Sequence, residues 1–320
     1  MKEYGTDTLI IIKLNKIMNN IRSYLIRLNI ACNEKCSFCN VTQETEPNFK
    51  EKSIFEILFL VKQIIKREGK KDIKISLSGG EPLLRKDIEL IVLGIKKLGV
   101  NSIEMQTNAS LLFNDRAEKL IKNGINKFFI SFHSHKQEIF ENYVGLKGIF
   151  PKVVSNIKNL GKYKNIEVIL NPVISKKNYK ELKDYFDFVK EEFPFVKYIS
   201  LSFIQPHGKA KKNINLMLDY ETINKDLFGI LDYVYNLGFV VNNPYCGLPI
   251  CIMGWDKYNV NCIEVIENKM LIDSGIIKKD NNKIYIKECE KCIYKGLCNG
   301  IWKEYKELYG SKGINCINSY

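Results

Sequence analysis

Apolar positions along the chain change period in a regular order. Residues 23–30 are rich in apolar and β-branched side chains, which predicts a strand. Over 53–66 the period becomes helical, with Ile54, Ile57, Leu58, Val61, Ile64 and Ile65 on one side. Ser53 and Glu56 stand as N-cap and N3 of a capping box. The alternation then repeats. Strands are predicted at 73–78, 101–106, 127–132, 165–170 and 198–204, separated by helical stretches at 87–98, 114–123, up to Leu160, and 178–192. Gly124 and Gly161 suit the ends of two of these helices.

Six strand–helix units predict an α/β fold whose parallel sheet is covered by helices. Six fall short of the eight that close a barrel, so an open, partial (β/α)6 TIM-like barrel is expected. Periodicity alone leaves a doubly wound sheet open as the alternative. In either fold, function gathers at the C-terminal ends of the strands. Gly79 to Glu81, Thr107, Asn108, His133, Asn171, Gln205 and His207 fall there. Residues 1–20 read as an extension with one β-like run at 8–14, residues 21–210 as the barrel, and 211–238 as a connection with a helix at 220–237. In residues 239–320 the texture turns loop-rich. A segment so poor in core needs staples, and seven of the ten cysteines lie there.

Composition narrows the setting. The 320 residues are 45% hydrophobic and 27% charged, an ordinary soluble balance that needs no disulfide scaffold. No run approaches the roughly 20 apolar residues of a membrane span, and no secretory signal opens the chain. The expected compartment is a reducing cytoplasm in which cysteines bind metal. The net charge of +13 is spread over lysines such as Lys62, Lys66, Lys96, Lys97 and Lys122 on predicted helix faces. It reads as a solvated surface, and no nucleic-acid motif accompanies it.

The chemistry begins at Cys32-Asn-Glu-Lys-Cys36-Ser-Phe38-Cys39, where three thiols occupy eight residues. Thiolates are what iron–sulfur clusters select. Three of them on one [4Fe–4S] cube leave the fourth iron open to a small molecule. Scattered buried cysteines are the bland alternative. A zinc site would want a second pair nearby, and none follows. The second strand ends in Gly79-Gly80-Glu81-Pro82. Two glycines there let backbone approach a ligand closely.

This pair of motifs in this order resembles the radical S-adenosylmethionine (SAM) superfamily, over roughly residues 23–208. The resemblance implies that Cys32, Cys36 and Cys39 hold a [4Fe–4S] cluster and that its open iron chelates SAM. Reductive cleavage of SAM would then give a 5′-deoxyadenosyl radical that abstracts hydrogen. It places Phe38, Gly79, Gly80, Glu81 and Pro82 around SAM, with Glu81 or nearby carbonyls accepting from its ammonium group. Ser131 and Asn171 match further places of SAM contact. A low-potential reductant of the flavodoxin or ferredoxin type is implied as a partner.

The C-terminal segment resembles the SPASM/twitch extensions, which hold auxiliary clusters. Cys289-x2-Cys292-x5-Cys298 has the SPASM spacing, Cys246, Cys251 and Cys262 stand where the first ligands are expected, and Cys316 where the last is. The pattern departs at Trp302, where SPASM usually has another Cys. Two assignments stay open. Either Cys246, Cys251 and Cys262 hold one open cluster and Cys289, Cys292, Cys298 and Cys316 another, or a single cluster uses Cys251, Cys289, Cys292 and Cys298. Zinc is the rival metal.

Enzymes of this type often modify peptides or proteins, so hydrogen abstraction from a peptide is the leading expectation. Only 31 residues precede Cys32, which leaves no room for a peptide-recognition domain ahead of it and tempers that reading. The alternative is a small-molecule enzyme of cofactor, sugar or antibiotic metabolism. A non-enzymatic iron–sulfur electron carrier is the remote third. His133 and His207 are expected at the substrate mouth as proton-transfer candidates. Tyr245, beside Cys246, is a candidate hydrogen-atom donor.

Overall fold

The computed structural model describes residues 22–68, 73–113, 115–262, 270–273, 276–278 and 282–318. The expected run at 8–14 lies outside them. The first strands and helices alternate as the periodicity predicts: β1 (Arg22–Arg27), α1 (Ile54–Glu68), β2 (Ile73–Ser78), α2 (Ile88–Lys97), β3 (Ser102–Thr107), α3 (Arg116–Asn123) and β4 (Lys127–Ser131). Two helices, α4 (Gln137–Val144) and α5 (Phe150–Leu160), lead to β5 (Glu167–Asn171). At α1 the capping box is formed. The Ser53 backbone N–H donates to Glu56 Oε2 at 2.8 Å, and the Glu56 N–H donates to Ser53 Oγ at 3.3 Å.

Two expected elements are divided. Pro172 has no N–H to continue β5, so the chain restarts as β6 (Val173–Ile174), and after α6 (Leu182–Glu192) the next strand splits into β7 (Tyr198–Ser200) and β8 (Ser202–Phe203). β7 stays in the main sheet, while β6 and β8 pair with each other. After a short turn of helix, α7 (Lys209–Lys212), the helix expected at 220–237 is two, α8 (Tyr220–Asp226) and α9 (Ile230–Asn236). Gly229 between them has φ 76°, left-handed backbone in which a right-handed helix cannot continue.

The main sheet runs β11-β10-β1-β2-β3-β4-β5-β7-β9. Here β9 is Val240–Asn242, β10 is Met270–Asp273 and β11 is Ile276–Lys278. Neighbours are parallel except β10 and β11. The order β1 to β5 is sequential, without the reversal a doubly wound sheet requires. Among the described residues the ends β11 and β9 do not pair with each other, and the fold is a partial, open TIM-like barrel. The segment after residue 239 does not stand apart from it: β9 extends one edge and β10 the other. That segment ends in a small hairpin, β12 (Lys283–Ile284) with β13 (Ile301–Trp302), and α10 (Lys303–Tyr309).

Register separates the two faces. Tyr24, Ile26, Ile75, Leu77, Ile103, Met105, Phe128 and Ile130 are fully buried and form the core under the helices. The other face is mixed, with Leu25, Phe129 and Ile169 among polar positions. Arg27 is paired with Ser78, Ser76 with Glu104, Lys127 with Glu167, Ser131 with Asn171 and Ser200 with Asn242. Ser76 Oγ donates to Glu104 Oε1 at 2.6 Å, and Lys127 Nζ lies 3.0 Å from Glu167 Oε1. The barrel interior thus carries paired polar groups interleaved with apolar side chains. Among the described residues no helix is long and apolar enough to cross a membrane.

Candidate active site

The loop carrying Cys32, Cys36 and Cys39 leaves the C-terminal end of β1 and is held from both sides. Beyond the strands its backbone stays paired with the Gly-Gly-Glu segment: Gly80 N–H donates to Asn29 O at 2.9 Å and Glu81 N–H to Ala31 O at 2.8 Å. A Cβ on Gly79 would sit 2.3 Å from Asn29 Oδ1, and one on Gly80 2.2 Å from Ala31 O. The two glycines thus admit the backbone that delivers Cys32, a closeness no side chain allows. Pro82 opens the following turn, Pro82–Leu84, where a missing N–H is harmless.

Glu81, or the carbonyls near it, was expected to accept from the ammonium group of SAM; in the structure the Glu81 side chain is turned inward. Its carboxylate is fully buried and already engaged. Oε1 accepts from Leu83 N–H at 3.0 Å and Thr107 Oγ–H at 2.9 Å, and Oε2 from Asn108 N–H at 2.8 Å. Burial pushes its pKa up while these donors pull it down. Glu81 is the staple between the ends of β2 and β3.

On the far side of the loop, Lys35 N–H donates to Val144 O at 2.7 Å and Ser37 N–H to Tyr143 O at 3.1 Å, both at the end of α4. Lys209 N–H donates to Cys39 O at 2.9 Å, and Asn213 Nδ2 to Ser37 O at 3.0 Å. Phe38 is wedged between His133 and Tyr143, with ring centroids 5.0 and 4.9 Å away. His133, expected at the mouth, is instead buried beneath the loop. Its Nδ1 accepts from Val173 N–H at 3.2 Å, and burial depresses its pKa to about 3. His135 packs against Phe188 at 6.0 Å.

The three thiols lie near enough for their charges to interact. Burial, then neighbouring Glu34 and the other cysteines, pushes Cys36 well up, and Cys32 rises to about 12. Among the described residues no three His, Cys, Asp or Glu side chains converge on a single ion. Three sulfurs on three irons of a cube need not converge, and a cationic cluster would reverse the mutual repulsion of the thiolates. The donor set therefore fits a cluster. Two asparagines complete the support, Asn108, noted above at a strand end, and Asn33, which the sequence reading did not single out. Asn108 Nδ2 donates to Asn33 Oδ1 at 3.0 Å and lies 4.0 Å from Cys32 Sγ. Asn33 Nδ2 donates to Ser110 Oγ at 2.8 Å. Only Asn108, at a strand end, had a positional signal.

Ser131 and Asn171 share the interior face. Asn171 Nδ2 donates to Ser202 Oγ at 2.6 Å and to Ser200 O at 2.7 Å. Ser202 Oγ lies 3.1 Å from Cys246 Sγ, so Cys246 belongs to the barrel mouth. Cys262 is buried beside Asn243, whose Nδ2 is 3.4 Å from its sulfur. The other five C-terminal cysteines, Cys251, Cys289, Cys292, Cys298 and Cys316, line one cavity together. Cys316 Sγ is 4.0 Å from Cys289 Sγ. Burial and these neighbours raise Cys251 and push Cys316 up to about 12. Cys246 and Cys262 do not line this cavity.

Trp302, at the position of departure from the SPASM pattern, meets His207 edge-on at 5.1 Å and Tyr245 edge-on at 5.4 Å. Lys283 Nζ lies 4.4 Å from the Tyr245 ring centroid. His207 and Tyr245 are thus brought together where the barrel meets the C-terminal segment.

A sequence model of the radical SAM superfamily matches residues 26–189, half of the chain. The chain belongs to the radical SAM superfamily. A probable GTP 3′,8-cyclase of Saccharolobus solfataricus is 35% identical to it over 156 residues, 49% of either chain. Another, of Sulfurisphaera tokodaii, is 28% identical over 74% of this chain and 78% of its own length. The chain spans about half the length of the first of these relatives. Among solved structures, Streptococcus suis SuiB bound to S-adenosylmethionine superposes with a TM-score of 0.59 at 17% identity, covering 83% of this chain and 62% of that one. This radical SAM protein therefore uses a [4Fe–4S] cluster and SAM, and its cysteine-rich C-terminal segment fits auxiliary clusters.

Proposed function

We propose that this radical SAM enzyme abstracts hydrogen from a peptide, in the cytoplasm, as an oxidoreductase of the maturase type. Cys32, Cys36 and Cys39 hold the reactive cluster. When bound, cluster and SAM supply a 5′-deoxyadenosyl radical, with the electron drawn from a flavodoxin- or ferredoxin-type reductant. The chain's own residues shape the chamber. The Gly79 to Glu81 staple and Asn108 position the cysteine loop, and Ser131 and Asn171 present polar side chains on the inner wall. The C-terminal segment closes one side of the mouth through Tyr245 and Trp302.

The observation that carries the peptide reading is the five-cysteine cavity. Its Cys289, Cys292 and Cys298 keep a spacing that resembles SPASM extensions, which often accompany peptide-modifying enzymes, and one SPASM-like auxiliary cluster is proposed there. The second reading is a small-molecule reaction, favoured by the relatives named as GTP 3′,8-cyclases. The test is anaerobic reconstitution, then reduction with SAM beside either a short peptide encoded next to this gene or GTP. A mass change in the peptide, coupled to 5′-deoxyadenosine, supports the first reading. Consumption of GTP alone overturns it in favour of the second.

A further inference from the structure

Lys35 lies inside the reactive cysteine loop and is exposed. The segments that grip the loop on its far side add further exposed lysines: Lys147, Lys176, Lys177, Lys211 and Lys212. Lys147 follows closely on Val144, whose carbonyl accepts from Lys35 N–H, and a Cβ on Gly145 would sit 3.2 Å from Lys35 Cβ. Lys177 Nζ donates to Asn142 Oδ1 of α4 at 2.5 Å, and Lys176 is its neighbour in the chain. Lys211 and Lys212 lie between Lys209, whose N–H holds Cys39 O, and Asn213, whose Nδ2 holds Ser37 O.

Carboxylates do not balance this flank. Glu44 pairs with Lys212 at 2.6 Å. Glu34 is buried, and Glu141 accepts from Gln137 Nε2 and the Phe150 N–H. Among the described residues Lys35, Lys147, Lys176 and Lys211 have no carboxylate within ion-pair distance. On α3, by contrast, Lys119 pairs with Asp115 and Lys122 with Glu118. Unbalanced positive charge attracts an anionic partner across roughly a Debye length, about 8 Å at physiological salt, and speeds its docking.

Location says what the partner brings. A substrate has to enter the barrel, where Ser131 and Asn171 share the inner face, whereas an electron has only to reach the loop. The lysines flank the backbone of residues 35–39, which carries Cys36 and Cys39, on the side away from the Gly79 to Glu81 staple. We propose that this lysine-bearing flank is the docking surface of a small acidic electron-carrier protein of the flavodoxin or ferredoxin class. The carrier gives up one electron, the reactive cluster gains it, and no bond is made or broken in the transfer. Complementary charge sets the rate and orientation of such an encounter more than its tightness. The inference rests on the functional reading above, in which an external reductant supplies the cluster.

The experiment is stopped-flow reduction of the reconstituted full chain, read as bleaching of the cluster absorbance. The probes are a reduced flavodoxin, a reduced ferredoxin, and photoexcited 5-deazariboflavin as a neutral small-molecule reductant. Wild type is compared with Lys147/Lys176/Lys211→Glu and with Lys62/Lys66/Lys97→Glu, which changes net charge equally on α1 and α2. With at least one carrier protein the flank variant is expected to be reduced roughly ten- to a hundredfold more slowly than wild type, within the range of electrostatic steering. The α1 and α2 variant is expected to stay within about twofold of wild type, the decay of a charge's reach with distance being the reason. Added salt is expected to slow wild type and close the gap. All three proteins are expected to hold the same iron and to be reduced alike by deazariboflavin, which shows that the variants are folded. The proposal is overturned if neither carrier reduces wild type, if the flank variant keeps the wild-type rate with both, if the α1 and α2 variant slows as much, or if salt has no effect. A flank variant that keeps its rate with both carriers but loses affinity for GTP would assign the lysines to an anionic substrate instead, and also overturns it. SAM cleavage driven by deazariboflavin reports separately on the functional reading.

Discussion

Glu81 Oε2 accepts the backbone N–H of Asn108 at 2.8 Å, joining the ends of β2 and β3 inside the protein. Both residues also touch the cysteine loop: Glu81 N–H donates to Ala31 O, and Asn108 Nδ2 reaches Asn33 Oδ1. Replacing Glu81 by Gln turns one acceptor into a donor facing other donors. An unsatisfied buried group of this kind costs about 1–3 kcal/mol. Glu81→Gln is expected to lower the thermal midpoint and the iron retained after anaerobic desalting, whereas an exposed change such as Lys62→Gln moves neither.

Cluster number is decided by iron analysis. Two cubes bring about eight irons per chain. Cys32/Cys36/Cys39→Ala is expected to lose about four together with all SAM cleavage. If all iron disappears from that variant, the C-terminal cysteines bind something else.

The C-terminal cysteines separate by geometry. Cys292→Ser and Cys298→Ser, within the cavity, are expected to lose iron while the signal of the reactive cluster stays. Cys246→Ser and Cys262→Ser, outside it, are expected to retain all iron. Iron lost from either of the latter two would restore an open cluster built on Cys246, Cys251 and Cys262.

His133 gives the fold an acid limit. Burial lowers its pKa from 6.5 to about 3. Above about pH 6.5 folded and unfolded chains both hold it neutral, and its contribution to stability is complete. Between 6.5 and 3 the unfolded chain takes up a proton that the folded one refuses, so stability falls as pH falls, by about 1.4 kcal/mol per pH unit for one proton. Denaturant melts of wild type and His133→Gln from pH 7 to 4 check this. The variant is expected to be less stable at pH 7 and less sensitive to acid.

The capping box offers a control remote from the chemistry. Ser53→Ala removes the acceptor of the Glu56 N–H and is expected to cost about 1 kcal/mol, seen as a lower denaturation midpoint with iron content unchanged.

Local features were legible in the chain. Period set the order of β1 to β5 and their helices, because a strand buried under helices on one face must alternate and a covering helix must repeat near every fourth residue. The reactive cysteine loop and the Gly-Gly-Glu-Pro segment were legible because their chemistry lies within a few residues. Where a single backbone conformation intervened, the reading failed: Gly229 divided a helix that composition alone would continue.

The sequence by itself determined the alternation of strands and helices, the cysteine loop and the cysteine-rich end. Tertiary structure decided what no spacing contains. It turned the Glu81 carboxylate inward onto Thr107 and Asn108, buried His133 under Phe38, and set Cys251 among cysteines 38 to 65 positions away. It also brought His207 to Glu304. The physical reason is that hydrogen-bond partners and thiol neighbours are chosen by distance in space, and the sheet's register brings together residues far apart in the chain.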